Sequence, residues 1–460
     1  MLNSLKMTIR PIVIKALDAI NIEPALVKAI IKKPPMVHGG SRTRRWPWPR
    51  RKHFDKRESA AVMRVMNREI KRGGAIVYGG PEEKAYSQEF AEYLGGGFAK
   101  AVNSGTNAVY VALRALDLEP GSEVIVPAIT DAGGTMPVAL MNCIPVPADT
   151  QPRSLNSSVN QIQAALSDRT AAIVVAHISG QPVDLDPILK LAAERKIPVV
   201  EDCAQAHGAL YKGQLVGTFG AVSAFSTMFG KHHCTGAQGG VVFTRDTLLF
   251  ARVRQIADRG KPHGALGTPT NLVASLNFNQ NEISMAIGRV QIDKLPASIQ
   301  ARRFFALQVE AGLRDVEGIA FLGDPPNCSG SYWFLTIWLD DTKLACDSAE
   351  FAVALEREGI GGTAAGYPFF PTDQPWCRDA VIFGQSGLPW SALSEHPKLR
   401  HFELHNAHQA SRHIVRIDVH ESLGPREARD LAAAVRKIAQ HYKKVSSATA
   451  AAEISYAMSR

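Results

Sequence analysis

Between residues 81 and 246, short apolar runs alternate with stretches whose apolar residues recur at helical spacing. The runs fall at 98–102, 123–126, 144–146, 171–176, 197–201, 221–225 and 240–244, and 171–176 reads AAIVVA. Such runs are strand-length, and the most apolar of them predict strands buried on both faces. Residues 82–94, 106–116, 135–141 and 187–195 carry the helical pattern, with Ala108, Val109, Val111, Ala112, Leu113 and Leu116 apolar in one of them. Strands alternating with helices predict an α/β fold with a mostly parallel central sheet, covered on both faces.

The rhythm changes after residue 280. Residues 282–295 and 297–313 predict two linked helices, because Pro296 between them lacks an N–H and crowds the preceding turn. A strand at 332–339, a helix at 348–358, a strand at 414–419 and a closing helix at 425–441 then predict a smaller α+β domain. At the other end, Ile9, Ile12, Val13, Leu17 and Ile20 form a partly helical stripe, which Pro34, Pro35, Gly39 and Gly40 break. The expected organisation is an N-terminal helical segment and arm (1–58), a large domain (59–300), a small C-terminal domain (301–445) and a tail (446–460). No internal repeat of fixed period interrupts this plan.

Composition narrows the function classes. The 460 residues are 45% hydrophobic, enough for a sizeable core in more than one domain. No apolar run reaches the ~18 residues of a membrane span, and the first residues lack a signal-peptide layout. The six cysteines include no CxxC pair and read as reduced thiols, so the expected compartment is cytoplasmic. No Cys/His cluster has zinc spacing, and no metal is expected. The net charge of +9 is concentrated in residues 41–57, where Arg42, Arg44, Arg45, Arg50, Arg51, Lys52, Lys56 and Arg57 face one acid, Asp55. Basic residues beside Trp46 and Trp48 suit nucleic acid. No nucleic-acid motif follows and the rest is nearly neutral, which favours an arm packed on the body or on a partner subunit.

Four segments carry candidate chemistry. Asn103-Ser104-Gly105-Thr106-Asn107 joins a strand to a helix, where free N–H groups and the helix dipole favour an anion; simple capping is the plainer reading. Glu201-Asp202-Cys203-Ala204-Gln205-Ala206-His207 follows the strand IPVV, at the strand end where open parallel sheets hold ligands. A carboxylate there can keep a pyridinium nitrogen protonated, with Asp202 the candidate, and Gln205 can hydrogen-bond a ring hydroxyl. Phe225-Ser226-Thr227-Met228-Phe229-Gly230-Lys231 lies between two strand ends. Desolvation lowers a lysine's pKa, and only the neutral amine is a nucleophile. Ser226 offers a hydroxyl to the same anion site. His232 and His233 follow without a third ligand and read as packing or substrate contacts. The fourth segment is the polar loop 276–288, which opens a helix.

Together these segments resemble the DegT/DnrJ/EryC1/StrS family of sugar aminotransferases, from about residue 81 to 442. The matching motifs are SGT at 104–106, EVIVP at 123–127, EDCAQAHGA at 201–209, the FS…K…GG pattern at 225–240 and NFNQNEISMAIGRVQ at 277–291. The resemblance implies a pyridoxal 5'-phosphate (PLP) transferase of fold type I and a homodimer with sites at the interface. Ser104, Gly105, Thr106 and Ser226 would hold the phosphate, joined by Asn277 of the partner subunit. Asp202 would pair with the ring nitrogen, Ala204 would pack on the ring face and Gln205 would meet the ring oxygen. Lys231 would be both the Schiff-base residue and the proton shuttle. The implied reaction moves an amino group from an amino acid, glutamate by family habit, to a keto group of a nucleotide-linked sugar.

Three positions depart from the family pattern. Asp131 stands where an aromatic residue usually stacks on the ring, Asn279 stands where the interface loop usually has Arg, and the basic arm is not standard. Two rival functions bear on these residues. A PLP sugar dehydratase of the family has His in place of the lysine, whereas Lys231 keeps the matching spacing here. A non-catalytic binding or regulatory protein has no need of Lys231, Asp202 and the phosphate turn together.

Overall fold

The computed structural model describes residues 34–263, 270–392 and 402–444. The stripe expected within 1–33 and the tail 446–460 lie outside the described residues.

Seven strands build the central sheet: β1 (Phe98–Val102), β2 (Glu123–Pro127), β3 (Ile144–Ala148), β4 (Thr170–Ala176), β5 (Val199–Asp202), β8 (Val222–Ser226) and β9 (Gly240–Thr244). Their order is β1-β9-β8-β5-β4-β2-β3. Every pair from β8 to β3 is parallel, and only β9 runs against its neighbours. Strands β2, β3, β5, β8 and β9 are buried along their whole length. That is what continuous apolar runs with helices on both faces require. A ribbon of β6 (Leu210–Tyr211), β7 (Gln214–Leu215) and β11 (Cys328–Ser329) lies apart from this sheet.

The second sheet is antiparallel: β10 (Ile319–Phe321), β12 (Phe334–Leu339), β14 (Ile414–Asp418) and β13 (Thr363–Ala365), in that order. One face packs with the helices Ser348–Arg357 and Pro425–His441 in a core that includes Val415, Ile417, Phe351, Leu431 and Val435. Phe334, Trp338 and Ile414 join a second cluster with Ala128, Ile129, Ala176 and Ile178, which belong to loops and strands of the large sheet. The site lies beside this seam.

Two helical segments differ from expectation. Residues Glu282–Leu313 form one helix of 32 residues, with Pro296 inside it. An interior proline costs about 3 kcal/mol, but burial at both ends holds this helix together. Met285 packs in the large-domain core, whereas Phe305, Ala306, Val309 and Leu313 pack in the small one. The helix therefore spans residue 300. The second difference is the helix Lys56–Arg72, which no sequence pattern announced; a capping box of Asp55 and Glu58 starts it and Gly73 ends it. Its Ala61 and Val65 pack on Ala286 of the long helix.

The basic arm lies on the small domain. Arg44 is buried between Glu427 (3.0 Å) and Asp430 (2.5 Å). Its guanidinium stands 5.3 Å from the ring of Trp48, which packs on the small-domain core. Glu358 accepts hydrogen bonds from the Met36 and Thr43 N–H groups and from Lys437. Trp46 stays 65% exposed. Among the described residues no helix is long and apolar enough to cross a membrane.

Candidate active site

The site forms on the side of the central sheet where β1, β2, β5 and β8 end and β9 begins. β1 leads into Ser104, the N-cap of the helix Gly105–Ala115, whose hydroxyl accepts the Asn107 N–H at 3.1 Å. The Gly105 and Thr106 N–H groups at that helix end have no intrahelical acceptor. The last residue of β8, Ser226, abuts this turn: a Cβ on Gly105 would lie 2.5 Å from the Ser226 Cβ. A Cβ on Gly240 would lie 2.3 Å from the Ser104 carbonyl oxygen, so β9 also presses on the turn. After β2, the loop at Thr130–Asp131 brings Gly133 against the Thr106 hydroxyl and Gly134 against the Thr130 hydroxyl, each too close to admit a side chain (2.4 and 2.7 Å to a Cβ), and a Cβ on Gly134 would lie 3.1 Å from Asp202 Oδ2.

Asp202 and Glu201 end β5 and point to opposite faces. Glu201 is fully buried and satisfied by the Gly217, Phe219 and Gly220 N–H groups and by His177. Asp202 faces the site, with Oδ1 accepting the Ala204 N–H at 3.0 Å. Burial raises its carboxyl above the ordinary range, against that hydrogen bond and the Lys231 charge.

Lys231 is 6% exposed. Burial lowers its amine to about 8, opposed by the charges of Asp202 and Asp131. Nζ sits 3.7 Å from the centre of the Trp333 ring, whose indole N–H donates to the Gly230 carbonyl at 3.1 Å. The loop is pinned elsewhere too. His232 Nε2 meets the Ser331 carbonyl at 3.1 Å, and His233 Nε2 meets the Tyr86 hydroxyl at 2.7 Å. Burial holds both histidines well below their ordinary pKa, as befits neutral packing side chains. The Arg51 guanidinium reaches the Phe229 and His232 carbonyls at 3.5 and 3.4 Å while bonding Glu421 at 2.9 Å. Glu421 in turn holds the buried Arg302 at 3.1 Å and His53 at 3.2 Å.

Ser104, Gly105, Thr106, Asp202, Ala204, Ser226 and Lys231 thus converge on one site. Gln205 borders it but is engaged: Oε1 accepts the Ser179 N–H at 2.8 Å, and Nε2 donates to the Tyr367 hydroxyl at 2.9 Å. Ser179 holds a left-handed φ of 67°, a strained setting for a non-glycine residue beside a site. Asn277 is exposed, and its carboxamide oxygen accepts from the Asn279 N–H at 3.1 Å. Sequence reasoning missed Trp333, Tyr367, Ser179 and Arg51. The first two come from the small domain, far along the chain, and only their aromatic character hinted at a wall.

The DegT/DnrJ/EryC1/StrS aminotransferase family model matches residues 57–436. The chain is 31% identical over 427 residues to the L-glutamine:2-deoxy-scyllo-inosose aminotransferase of Streptomyces lividus, covering 88% of this chain and 97% of that one. It is 35% identical over 218 residues to the GDP-perosamine synthase of Caulobacter vibrioides, covering 47% and 58%. The crystal structure of Streptomyces venezuelae DesV in complex with a ketimine intermediate matches with a TM-score of 0.72 at 27% identity, covering 85% of this chain and 99% of that one. With its α/β fold and mostly parallel central sheet, the chain belongs to the DegT/DnrJ/EryC1/StrS aminotransferase family and is a PLP-dependent aminotransferase of fold type I.

Proposed function

We propose that the chain transfers the amino group of an L-amino acid, glutamate or glutamine, to a keto group of a sugar or cyclitol, in the first instance a nucleotide-linked sugar. The observation that carries this reading is the buried amine of Lys231 facing the Asp202 carboxylate beside an open helix N-terminus. The residues fit the cofactor. The Gly105 and Thr106 amides with the Ser104 and Ser226 hydroxyls suit a phosphate, a match that the glycine contacts reinforce by leaving no room for side chains. Asp202 suits a pyridinium nitrogen, and Ala204 is small enough to lie under a ring. Gln205 has one amide hydrogen left for a ring oxygen. When bound, PLP supplies the electron sink that lets an amino group change carbons.

The chain's own groups do the rest in this reading. Lys231 holds the cofactor until a donor arrives. Its amine, free by then, takes the proton from the donor α-carbon and returns it further along the same path. An amine titrating near 8 works in both directions close to neutral pH. Asp202 keeps its charge partner protonated, and the Trp333 ring keeps water from one side of Nζ. His232 bonds the Ser331 carbonyl and so leaves the amine unchallenged, which favours transamination over the dehydratase chemistry of family members with His at the lysine position.

Exposed Met63, Met66 and Ile70 on the Lys56–Arg72 helix, with Leu276 beside Asn277, support a homodimer in which Asn277 of the partner subunit reaches the phosphate. The two relatives' names fit the sugar-or-cyclitol class. The test is a half-reaction screen. The cofactor absorbance of the purified protein is followed with glutamate and glutamine, then with keto-sugar nucleotides and a keto-cyclitol. Spectral conversion by an amino acid and its reversal by one acceptor class is expected. Conversion by no amino acid, or reversal by none of the acceptors, would sink the reading.

A further inference from the structure

The basic arm runs along the outer side of the small domain, antiparallel to the helix Pro425–His441. At one end the His38 ring stacks on His441, with centroids 4.4 Å apart, and at the other Arg44 pairs with Glu427 and Asp430. The acids that the arm meets are all engaged. Glu358 holds Lys437 and the Thr43 N–H, Glu421 holds Arg51 and Arg302, and Glu427 and Asp430 hold Arg44. What is left facing water has one sign. Arg45, Arg50 and Lys52 are exposed, and so are Arg426 and Arg429, one turn apart on the helix. Among the described residues none of these five has a carboxylate partner. Apolar groups share the same face. Trp46 is held outward between the buried Arg44 and the half-buried Trp48, 65% exposed, with the Arg426 guanidinium 5.8 Å from its ring. At the far end of the arm Met36 and Val37 are 41% and 37% exposed. Buried ion pairs thus fix a turn whose most apolar side chain stands in water, and such exposure marks a contact surface.

Tryptophan flanked by arginine and lysine suits the boundary between a bilayer and water. The indole sits at headgroup depth there, and each cation is drawn to anionic lipid. The sequence ahead of the arm has the same character. Residues 1–33 carry six lysines and arginines against Asp18 and Glu23, with Ile9, Ile12, Val13, Leu17 and Ile20 recurring at partly helical spacing. A basic, amphipathic pattern of this kind favours an anionic surface with an apolar layer beneath it. Single-stranded nucleic acid asks for a charged groove with several stacking rings. This face instead offers one indole and two aliphatic side chains. We infer that the arm face of the small domain docks on the surface of an anionic lipid bilayer, with Trp46 as the inserted side chain and Arg45, Arg50 and Lys52 as headgroup contacts. No residue of the active site takes part, so the inference stands apart from the choice of amino donor and acceptor.

Co-sedimentation of the full-length holoenzyme with vesicles decides the matter, using phosphatidylcholine alone or mixed with phosphatidylglycerol. The wild type should bind the mixed vesicles, bind the neutral ones about tenfold more weakly or less, and lose affinity as salt rises. A cation beside an anionic surface contributes about fivefold. The combined variant Arg45→Gln/Arg50→Gln/Lys52→Gln should therefore bind mixed vesicles about a hundredfold more weakly, with an unchanged circular dichroism spectrum and donor half-reaction rate. Tryptophan emission should shift to the blue on mixed vesicles, and Trp46→Phe should lose most of that shift while keeping most of the binding. Full binding by the triple variant overturns the inference, whichever other part of the chain then holds the vesicle. So does an emission shift undiminished in Trp46→Phe. Tighter binding to a single-stranded oligonucleotide than to mixed vesicles at the same salt overturns it in favour of nucleic acid. A change of oligomeric mass in the triple variant, read by light scattering, overturns it in favour of a second copy of the chain.

Discussion

Replacing Lys231 with methionine keeps the length and apolar stem of the side chain and removes its charge. In the fold the amine titrates at about 8 against an ordinary value of 10.5. At about 1.36 kcal/mol per unit, the native apoprotein carries the protonated amine at a cost of about 3 kcal/mol. Between those pH values the unfolded chain holds more protons than the folded one, so this penalty shrinks as pH rises. Below the folded value it is present in full; above the unfolded value it is gone. The cofactor-free Lys231→Met protein should therefore be about 3 kcal/mol more stable than cofactor-free wild type near neutral pH. The gap should close progressively as the pH passes from about 8 to 10.5. Urea unfolding of both proteins at a series of pH values reads this directly. A gap that does not change with pH, or a variant less stable than wild type near neutrality, would refute the idea that burial without adequate charge compensation sets the reactivity of this lysine.

Asp202→Asn should retain the cofactor but slow the donor half-reaction on the order of a hundredfold, the scale of a lost electrostatic partner; stopped-flow absorbance measures it, and wild-type rates would assign the ring nitrogen to another group. Gly105→Ala puts a Cβ 2.5 Å from the Ser226 Cβ, so the turn must shift, cofactor affinity should fall at least tenfold and stability should drop by about 1–3 kcal/mol; equilibrium dialysis would expose undiminished affinity as a contradiction. Glu421→Ala strips the carboxylate from Arg302, Arg51 and His53, and should lower stability by roughly 3–5 kcal/mol, the usual penalty for an orphaned buried charge. Denaturant midpoints that shift by less than 1 kcal/mol would show that water reaches Arg302 easily.

Much of this molecule is legible in its sequence because the central sheet writes itself plainly. A strand buried on both faces must be apolar at every position, and AAIVVA can hardly be anything else. Once the sheet is read, the chemistry has an address, since Ser104, Asp202 and Ser226 each lie at or just past the end of a strand. Local pattern fails where distant packing decides. Pro296 reads as a break, yet cores at both ends hold one helix through it. The Lys56–Arg72 helix buries Glu58 and Glu69 beside Ala61 and Val65 and exposes Met63 and Ile70, so no clean apolar stripe marks it in the sequence. Gln205, meant for a ring oxygen, spends two of its groups on Ser179 and Tyr367, and Tyr367 comes from a strand edge 162 positions away. No spacing rule in the chain connects Trp333 to Lys231, because the seam between two sheets brings them together.

The arm on the small domain has a consequence for how the chain is made. Arg44 and its partner Glu427 are separated by 383 positions, and Arg51 and Glu421 by 370. Synthesis proceeds at about 5–20 residues per second, so the arm spends tens of seconds outside the ribosome before any of these carboxylates exists. During that interval the large sheet can complete itself, since all seven strands lie between residues 98 and 244. The concentration of like charge in the arm keeps it extended and discourages collapse onto the wrong surface. Its docking on Glu358, Glu421 and Glu427 then comes last. Because Arg51 also grips the carbonyls on either side of Lys231, the loop that bears the reactive amine receives its final restraint only after the last helix has emerged.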